Sequence, residues 1–319
     1  MKSCINNRHS NEPTYNPFNT VEGLNKELNE EQMNLYDIHR MPSIISKPLS
    51  KITDVALLIP SFPRDYHYLY KLLVVMKTTN VCIDTYIIFT NQEEYSLFEM
   101  KDRIKHYVIG DELNRNSITT SKKFFGLKQL MKLNYKYIIC CDSEIEIVPE
   151  NFTSENIISK IEDIFRNKRI YAGYVKGSYD SNIMSISATL FPNEYETLRQ
   201  RTDTFAYSFW WSDLPVYRTK DLKGFFEKID YSNIVWDYFE YLIYQFYLIL
   251  TDGFYILNTT AVTGMNKSLE GLNTSDLNIL DNLSNMGVGF SWVINRTYLK
   301  NKEYFNSRGT FIRFHLDWN

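Results

Sequence analysis

The sequence has few cysteines and no large excess of charge of either sign. There are 4 Cys in 319 residues, and none of them forms a CxxC pair. This excludes a disulfide scaffold and a cysteine-based zinc site of ordinary spacing. The net charge of -3 comes from 35 basic and 38 acidic residues, so no strong basic field would attract nucleic acid or a membrane surface. We therefore expect no nucleic-acid partner, and reduced thiols favour a cytoplasmic location.

Long apolar runs are also missing. The longest, residues 234–250, carries Asp237 and Glu240 and is shorter than the roughly 20 residues that a membrane span needs. No apolar segment follows Met1, so we expect neither a signal peptide nor an integral membrane span. The sequence has no GxxxxGK[ST], no GxGxxG after its first strand-like run and no GxSxG. These absences disfavour a P-loop kinase, a classical dinucleotide enzyme and an α/β-hydrolase.

Apolar, β-rich runs alternate with helical periods from residue 54 to residue 148. The pattern predicts strands at 55–62, 81–91, 106–112 and 136–148, with helices at 67–77, 93–104 and 117–134. Such alternation is typical of an α/β fold with a mostly parallel sheet flanked by helices. Beyond residue 150 the pattern is mixed, with predicted helices at 155–165 and 234–250 and predicted strands at 169–175, 185–191 and 253–260.

Two carboxylates, in the sequence Cys141-Asp142-Ser143-Glu144, follow directly on the apolar run Tyr137-Ile138-Ile139-Cys140 of the fourth predicted strand. In open α/β sheets, ligands bind outside the carboxyl ends of the strands. Carboxylates at such a position can hold Mg²⁺ or Mn²⁺ together with substrate phosphates, although a solvated acidic turn is the alternative.

This Asp-x-Glu resembles the Asp-x-Asp motif of GT-A glycosyltransferases, and the first strand, Leu57-Leu58-Ile59-Pro60-Ser61, is also similar to that family. The resemblance covers residues 54–150, and Glu144 departs from the commonest form of the motif. It implies a GT-A-like, Rossmann-like sheet with a mixed α+β acceptor half. Residues 1–50 would be a polar tail or arm, 51–150 the nucleotide-sugar half, and 151–319 the acceptor-binding and catalytic half of the same domain.

The resemblance also implies site residues. The metal, Mn²⁺ or Mg²⁺, would be held by Asp142, Glu144 and His315. The donor would contact Pro60, Ser61, Asp65, Lys122, Lys123, Asp142, Ser143 and Arg313. Lysine, a helix N-terminus and a guanidinium group all suit a diphosphate, although Lys122 and Lys123 could equally form a solvated basic turn.

The resemblance further implies a general base on a helix in the second half of the chain. On a helix through 234–250, Asp237, Glu240, Tyr241 and Tyr244 would share one polar face opposite an apolar one. Glu240 is the preferred base, with Asp237 and Asp213 as the other candidates. The acceptor would contact Trp210, Trp211, Tyr241 and Tyr244, because aromatic side chains offer flat surfaces to sugar rings.

These features predict a metal-dependent glycosyltransferase, a hexosyl- or pentosyltransferase. It would move a sugar from a nucleotide-sugar, by family habit UDP-linked, to a hydroxyl of a glycan or glycoconjugate. Inversion at the anomeric carbon is expected, with retention as the alternative. Two alternatives stay open. A sugar-nucleotide pyrophosphorylase shares a similar sheet, but normally has a Gly-rich signature near its first strand. A non-catalytic GT-A-like protein would only bind carbohydrate.

Overall fold

A computed structural model gives the arrangement of most of residues 50–258 and of two later strands. The structure describes residues 50–79, 81–147, 149, 151–174, 177, 179–209, 215–229, 234–235, 237–258, 291–294 and 311–314. All of them belong to one compact unit, Ser46–Asn319. The predicted functional division near residue 150 stays a prediction.

A five-stranded sheet forms the centre of the fold. Its strands are β1 (Ser50–Pro60), β2 (Val81–Phe89), β3 (Lys105–Val108), β4 (Tyr137–Cys140) and β8 (Val216–Arg218). Their order across the sheet is β3-β2-β1-β4-β8. The pairs β3–β2, β2–β1 and β1–β4 are parallel, and only β8 runs antiparallel to its neighbour. The predicted α/β class with a mostly parallel sheet is confirmed.

Eight α-helices cover or extend this sheet within the described residues. They are α1 (Tyr66–Thr78), α2 (Gln92–Leu97), α3 (Ile118–Leu130), α4 (Ser154–Asn167), α5 (Tyr179–Ala188), α6 (Tyr195–Arg201), α7 (Thr219–Lys228) and α8 (Glu240–Thr251). Helix α2 is shorter than the helix predicted at 93–104, because the backbone is already extended at Phe98.

The core lies on both faces of β1. Residues 55–59 of this strand are almost completely buried, as a continuous apolar run in a parallel sheet predicts. Helix α3 packs closely against it through Gly126, where an added Cβ atom would lie 2.5 Å from Leu58 Cδ1 and 3.1 Å from Ile88 Cγ1. This glycine lets the helix approach the sheet, and so fixes the position of the lysines that precede it on α3.

Two small sheets complete the described part of the second half. One has the order β10-β11-β5, formed by Ser291–Ile294, Phe311–Phe314 and Ile145–Ile147. The other has the order β7-β6-β9, formed by Tyr207–Ser208, Arg169–Tyr174 and Tyr255–Asn258. The prediction of a mixed second half is confirmed.

Two sequence predictions for this half were wrong in detail. The strand expected at 185–191 is the end of α5 and the turn after it, because Ile183, Met184 and Ala188 recur at helical spacing on a buried face. The helix expected over 234–250 begins only at Glu240. Among the described residues, no helix has both the length and the apolar character needed to cross a membrane.

Candidate functional site

The strand order places a crevice between β1 and β4. From β1 the chain proceeds through β2 to β3 on one side of the sheet, and then returns to form β4 on the other side of β1. In open α/β sheets, ligands bind at this reversal of strand order, outside the carboxyl ends of the strands. The two carboxyl ends are Pro60-Ser61 for β1 and Cys140-Cys141-Asp142 for β4.

Asp142-Ser143-Glu144 interrupts what the sequence presents as one strand. Strand β4 ends at Cys140 and β5 begins at Ile145, so the three residues form the turn between two strands of different sheets. Ser143 is buried, whereas Asp142 and Glu144 are partly accessible. The motif therefore lies at the carboxyl edge of the central sheet.

Lys123 joins Asp142 to Glu240. Its Nζ atom lies 2.7 Å from Asp142 Oδ1 and 2.7 Å from Glu240 Oε1. Both oxygens contact one nitrogen, so their separation cannot exceed twice that distance. The side chains are 6% exposed for Lys123, 15% for Asp142 and 8% for Glu240. Residues from α3, the end of β4 and the start of α8 thus form a shielded cluster of charges, here called the acidic cluster.

The acidic cluster lies beside an apolar layer that contains two buried titratable groups, Cys140 and Tyr217. Burial raises the pKa of the Cys140 thiol well above its usual value, with Lys123 opposing the change and Glu240 adding to it. Burial likewise raises the pKa of the Tyr217 phenol, with Glu240 as the next contribution. Both groups therefore stay neutral at physiological pH.

Glu240 occupies the first position of α8, where a negative charge is favoured by the helix dipole. Asp237 lies before the helix, so it does not share a helical face with Glu240. Its Oδ1 atom instead accepts a hydrogen bond of 3.3 Å from the Tyr179 hydroxyl. The structure thus separates the two acids that the sequence placed on one face.

The polar face predicted for α8 is not exposed to solvent. Tyr241 is buried, and its ring lies 5.7 Å from that of Tyr217. Tyr244 is completely buried, donates a hydrogen bond to Asp221 Oδ2 at 2.8 Å, and accepts one from the backbone N–H of Arg218 at 3.0 Å. Tyr244 therefore belongs to the core in this arrangement, and its contact with an acceptor stays a prediction.

Lys122 and Lys123 do not open α3, which begins at Ile118, and they point to different partners. Lys122 is completely buried and donates hydrogen bonds to the carbonyl oxygen of Ser61 and, at 3.3 Å, to Glu94 Oε2. A solvated basic turn is excluded for both lysines. The ammonium of Lys122 is directed into the interior in this arrangement, and its direct contact with a donor diphosphate stays a prediction.

Glu94 is a site residue that the sequence reasoning missed. It is buried near the carboxyl end of β2, and its Oε2 atom accepts a hydrogen bond of 2.6 Å from the backbone N–H of Thr90. Its own N–H donates to Asn91 Oδ1 at 2.8 Å. The spacing Asn91-x-x-Glu94 is that of a capping box at a helix start. This spacing is the sequence feature that could have drawn attention to Glu94.

The loop after β1 contains the other predicted donor contacts. Pro60 and Ser61 are buried at the end of the strand, and Asp65 is partly accessible, with an oxygen 3.5 Å from Arg64 Nε. Among the described residues, the buried Ser61 Oγ has no hydrogen-bond partner. The loop thus borders the crevice between β1 and β4, and its contact with a donor stays a prediction.

The described residues do not assemble a metal centre. No group of three His, Cys, Asp or Glu side chains converges within the part of the chain that the structure describes. Asp142 and Glu144 offer carboxylate oxygens, which suit Mg²⁺ or Mn²⁺, but Asp142 Oδ1 already contacts the Lys123 ammonium. A metal would have to compete with that ammonium for Asp142.

Several predicted site residues lie outside the described residues. These are Trp210, Trp211, Asp213 and His315. For Arg313 the structure describes only the backbone, in β11, where it pairs with Ile145 of β5. The guanidinium contact predicted for Arg313 therefore stays a prediction.

Comparison with known proteins gives only distant likenesses. No family model matches the chain, and no curated protein matches it. A structure of S. aureus TarS 1-349 is similar with a TM-score of 0.35 and 11% identity, over 74% of this chain and 65% of that one. TarS 1-349 in complex with UDP gives 0.29 and 13%, over 54% and 48%. A further TarS structure gives 0.29 and 12%, over 54% and 30%. The chain spans less than two thirds of each TarS chain, and such low scores assign neither fold family nor function.

Proposed function

We propose that the protein is a glycosyltransferase of the GT-A type that uses a nucleotide-sugar donor. One observation carries the proposal: Asp142 and Glu240 converge on Lys123 at the carboxyl end of β4. A glycosyl transfer needs groups that bind the donor diphosphate and a base that takes a proton from the acceptor. The acidic cluster places candidates for both tasks next to one another at a ligand-binding edge of the sheet.

Glu240 is the proposed general base. The acceptor O–H gives its proton to the carboxylate while the oxygen forms a bond to the anomeric carbon of the sugar. The bond from that carbon to the donor phosphate breaks, and its electron pair leaves with the nucleoside diphosphate. Attack opposite the leaving group inverts the anomeric configuration.

Lys123 is the proposed cationic group of the reaction site. In the free protein its ammonium contacts both shielded carboxylates and offsets part of their negative charge. The donor diphosphate is proposed to lie near Asp142. Because the ammonium contacts Asp142, it would face the diphosphate, on which negative charge grows during the reaction. A fixed cation at that position stabilises the transition state more than the ground state.

The donor is proposed to be UDP-linked, with its nucleotide along the loop Pro60-Ser61 and its diphosphate near Asp142. Support comes from the crevice between β1 and β4, which these residues border. The acceptor is a hydroxyl of a glycan or glycoconjugate. Dependence on Mn²⁺ or Mg²⁺ and a cytoplasmic location stay predictions of the sequence.

The experiment is a donor panel. Purified protein is incubated with UDP-, GDP- and CDP-sugars, with Mn²⁺ or with EDTA, and release of free nucleotide is followed. A transferase releases nucleotide from one donor class by hydrolysis or transfer. A pyrophosphorylase needs a sugar phosphate and a nucleoside triphosphate instead, and a carbohydrate-binding protein releases nothing. Equal rates in Mn²⁺ and EDTA would contradict metal dependence alone.

A further inference from the structure

The buried ion pair Lys122–Glu94 lies directly behind the proposed donor loop. Lys122 is on α3 and Glu94 on α2, and the two side chains are 0% and 5% exposed. A charged pair this deeply buried loses the solvation of both groups, and hydrophobic residues of similar volume often replace such pairs without loss of stability. A contribution to the stability of the fold is therefore a weak explanation for this ion pair.

The contacts of Lys122 converge on the loop after β1. Its Nζ atom donates to the Ser61 carbonyl and lies 4.1 Å from the centre of the Phe62 ring. The ammonium thus holds two consecutive loop residues, one by a hydrogen bond and one by a cation–π contact. Since Lys122 is on a helix packed against β1, the loop is tied to the rigid part of the fold.

Glu94 fixes the ammonium from the other side. Its Oε2 atom accepts hydrogen bonds from Lys122 Nζ and from the N–H of Thr90, just after β2. The Glu94 carbonyl accepts a further bond of 2.7 Å from the Tyr66 hydroxyl at the start of α1. The carboxyl ends of β1 and β2 are therefore connected through a single lysine.

We propose that Lys122, fixed in place by Glu94, is a positioning residue for donor binding, which holds the Ser61–Phe62 loop in the geometry that receives the nucleotide. This inference rests on the proposed function. Lys122 does not touch the donor, whereas its neighbour Lys123 belongs to the reaction site. The two adjacent lysines thus have different roles: Lys122 positions the loop, and Lys123 belongs to the reaction site.

The test compares UDP affinity with stability in Lys122→Met, Glu94→Gln and the double variant. Each single variant leaves one buried polar group without its partner, so both stability and affinity fall. The double variant removes both charges and recovers stability, but it lacks the bond to Ser61. We expect its Kd for UDP to stay about tenfold above the wild-type value, with the donor KM raised similarly and kcat within about threefold.

A folded double variant with wild-type UDP affinity would overturn the inference, because the pair would then be only structural. If Lys122→Met does not fold, Glu94→Gln tests the anchor instead, since it keeps Lys122 and its bond to Ser61 but weakens the contact that fixes the ammonium. A wild-type UDP affinity in folded Glu94→Gln would also overturn the inference. Failure of the proposed function is distinguishable, because the wild-type protein itself would then bind no UDP.

Discussion

Lys123 and Glu240 are separated by 117 residues in the chain, yet Lys123 Nζ lies 2.7 Å from Glu240 Oε1. Asp142 contacts the same nitrogen at the same distance. The contact brings the first residue of α8 to the carboxyl end of β4, and so unites the two halves of the proposed site.

Glu240→Gln should bind UDP as the wild-type protein does and lose turnover. The amide has the shape of the carboxylate but cannot take the acceptor proton, and loss of a general base costs roughly 10²–10⁴-fold in rate. Steady-state kinetics with the donor found in the panel, together with calorimetric UDP binding, measure the two effects separately. Wild-type turnover would assign the base to Asp237 or Asp213.

Lys123→Met should destabilise the fold by about 3 kcal/mol. It removes the ammonium that contacts the shielded carboxylates of Asp142 and Glu240, and breaking a buried ion pair on one side is costly. Urea denaturation at neutral pH measures the change. Lys132→Met is the matched control, because Lys132 is exposed and its Nζ contacts only Gln129 among the described residues, so the expected change is within about 0.5 kcal/mol. Equal stability of the two variants would show that the Lys123 contacts do not form in solution.

The pH dependence of stability should report on Lys122. Burial lowers its pKa to about 8, partly offset by Glu94 and Asp65. Between pH 8 and the unfolded pKa of about 10.4, the unfolded chain holds a proton that the folded one has lost. The free energy of unfolding therefore rises with pH in this window, by up to about 1.4 kcal/mol per unit from this group.

Lys122→Met isolates this effect, since the other titrating groups are common to both proteins. The difference in unfolding free energy, wild type minus variant, is expected to increase between pH 8 and pH 9.5. A difference that stays constant would mean that the lysine ionises in the folded protein as it does in water.

Gly126→Ala should destabilise the protein by about 1–3 kcal/mol. The new Cβ atom would lie 2.5 Å from Leu58 Cδ1 in the packed interior between α3 and β1, where overpacking is costly. Gly224→Ala is the control, because its Cβ atom meets only the Tyr247 side chain, with the hydroxyl at 2.7 Å, and that end can move aside. Thermal unfolding should show a loss for the first variant and no loss for the second, since alanine favours helix. A loss of the same size in both would contradict the close approach of α3.

Local sequence patterns predicted the sheet well. Continuous apolar runs marked β1, β2 and β4, because strands buried on both faces need no polar residues. The position of Asp142 followed from the end of β4 alone. By contrast, α8 is buried on nearly all sides. Its 3.6-residue period therefore does not indicate an accessible polar face, and it does not predict that Tyr244 packs in the core.

Contacts between distant elements could not be predicted from the sequence. Nothing in the dipeptide Lys122-Lys123 indicates that one side chain reaches Glu94 and the other Glu240, since this depends on how α3 lies on the sheet. Glu94 was missed for the same reason: its capping-box spacing predicts a helix start but not a buried partner from another element.

The most direct test of the account is a crystal structure of the protein with UDP bound. The account predicts density for the diphosphate beyond the carboxyl ends of β1 and β4, beside Asp142 and Lys123, with Glu240 lining the space next to the terminal phosphate. Density for UDP at any other place, with Asp142 and Glu240 still closed on Lys123, would contradict it.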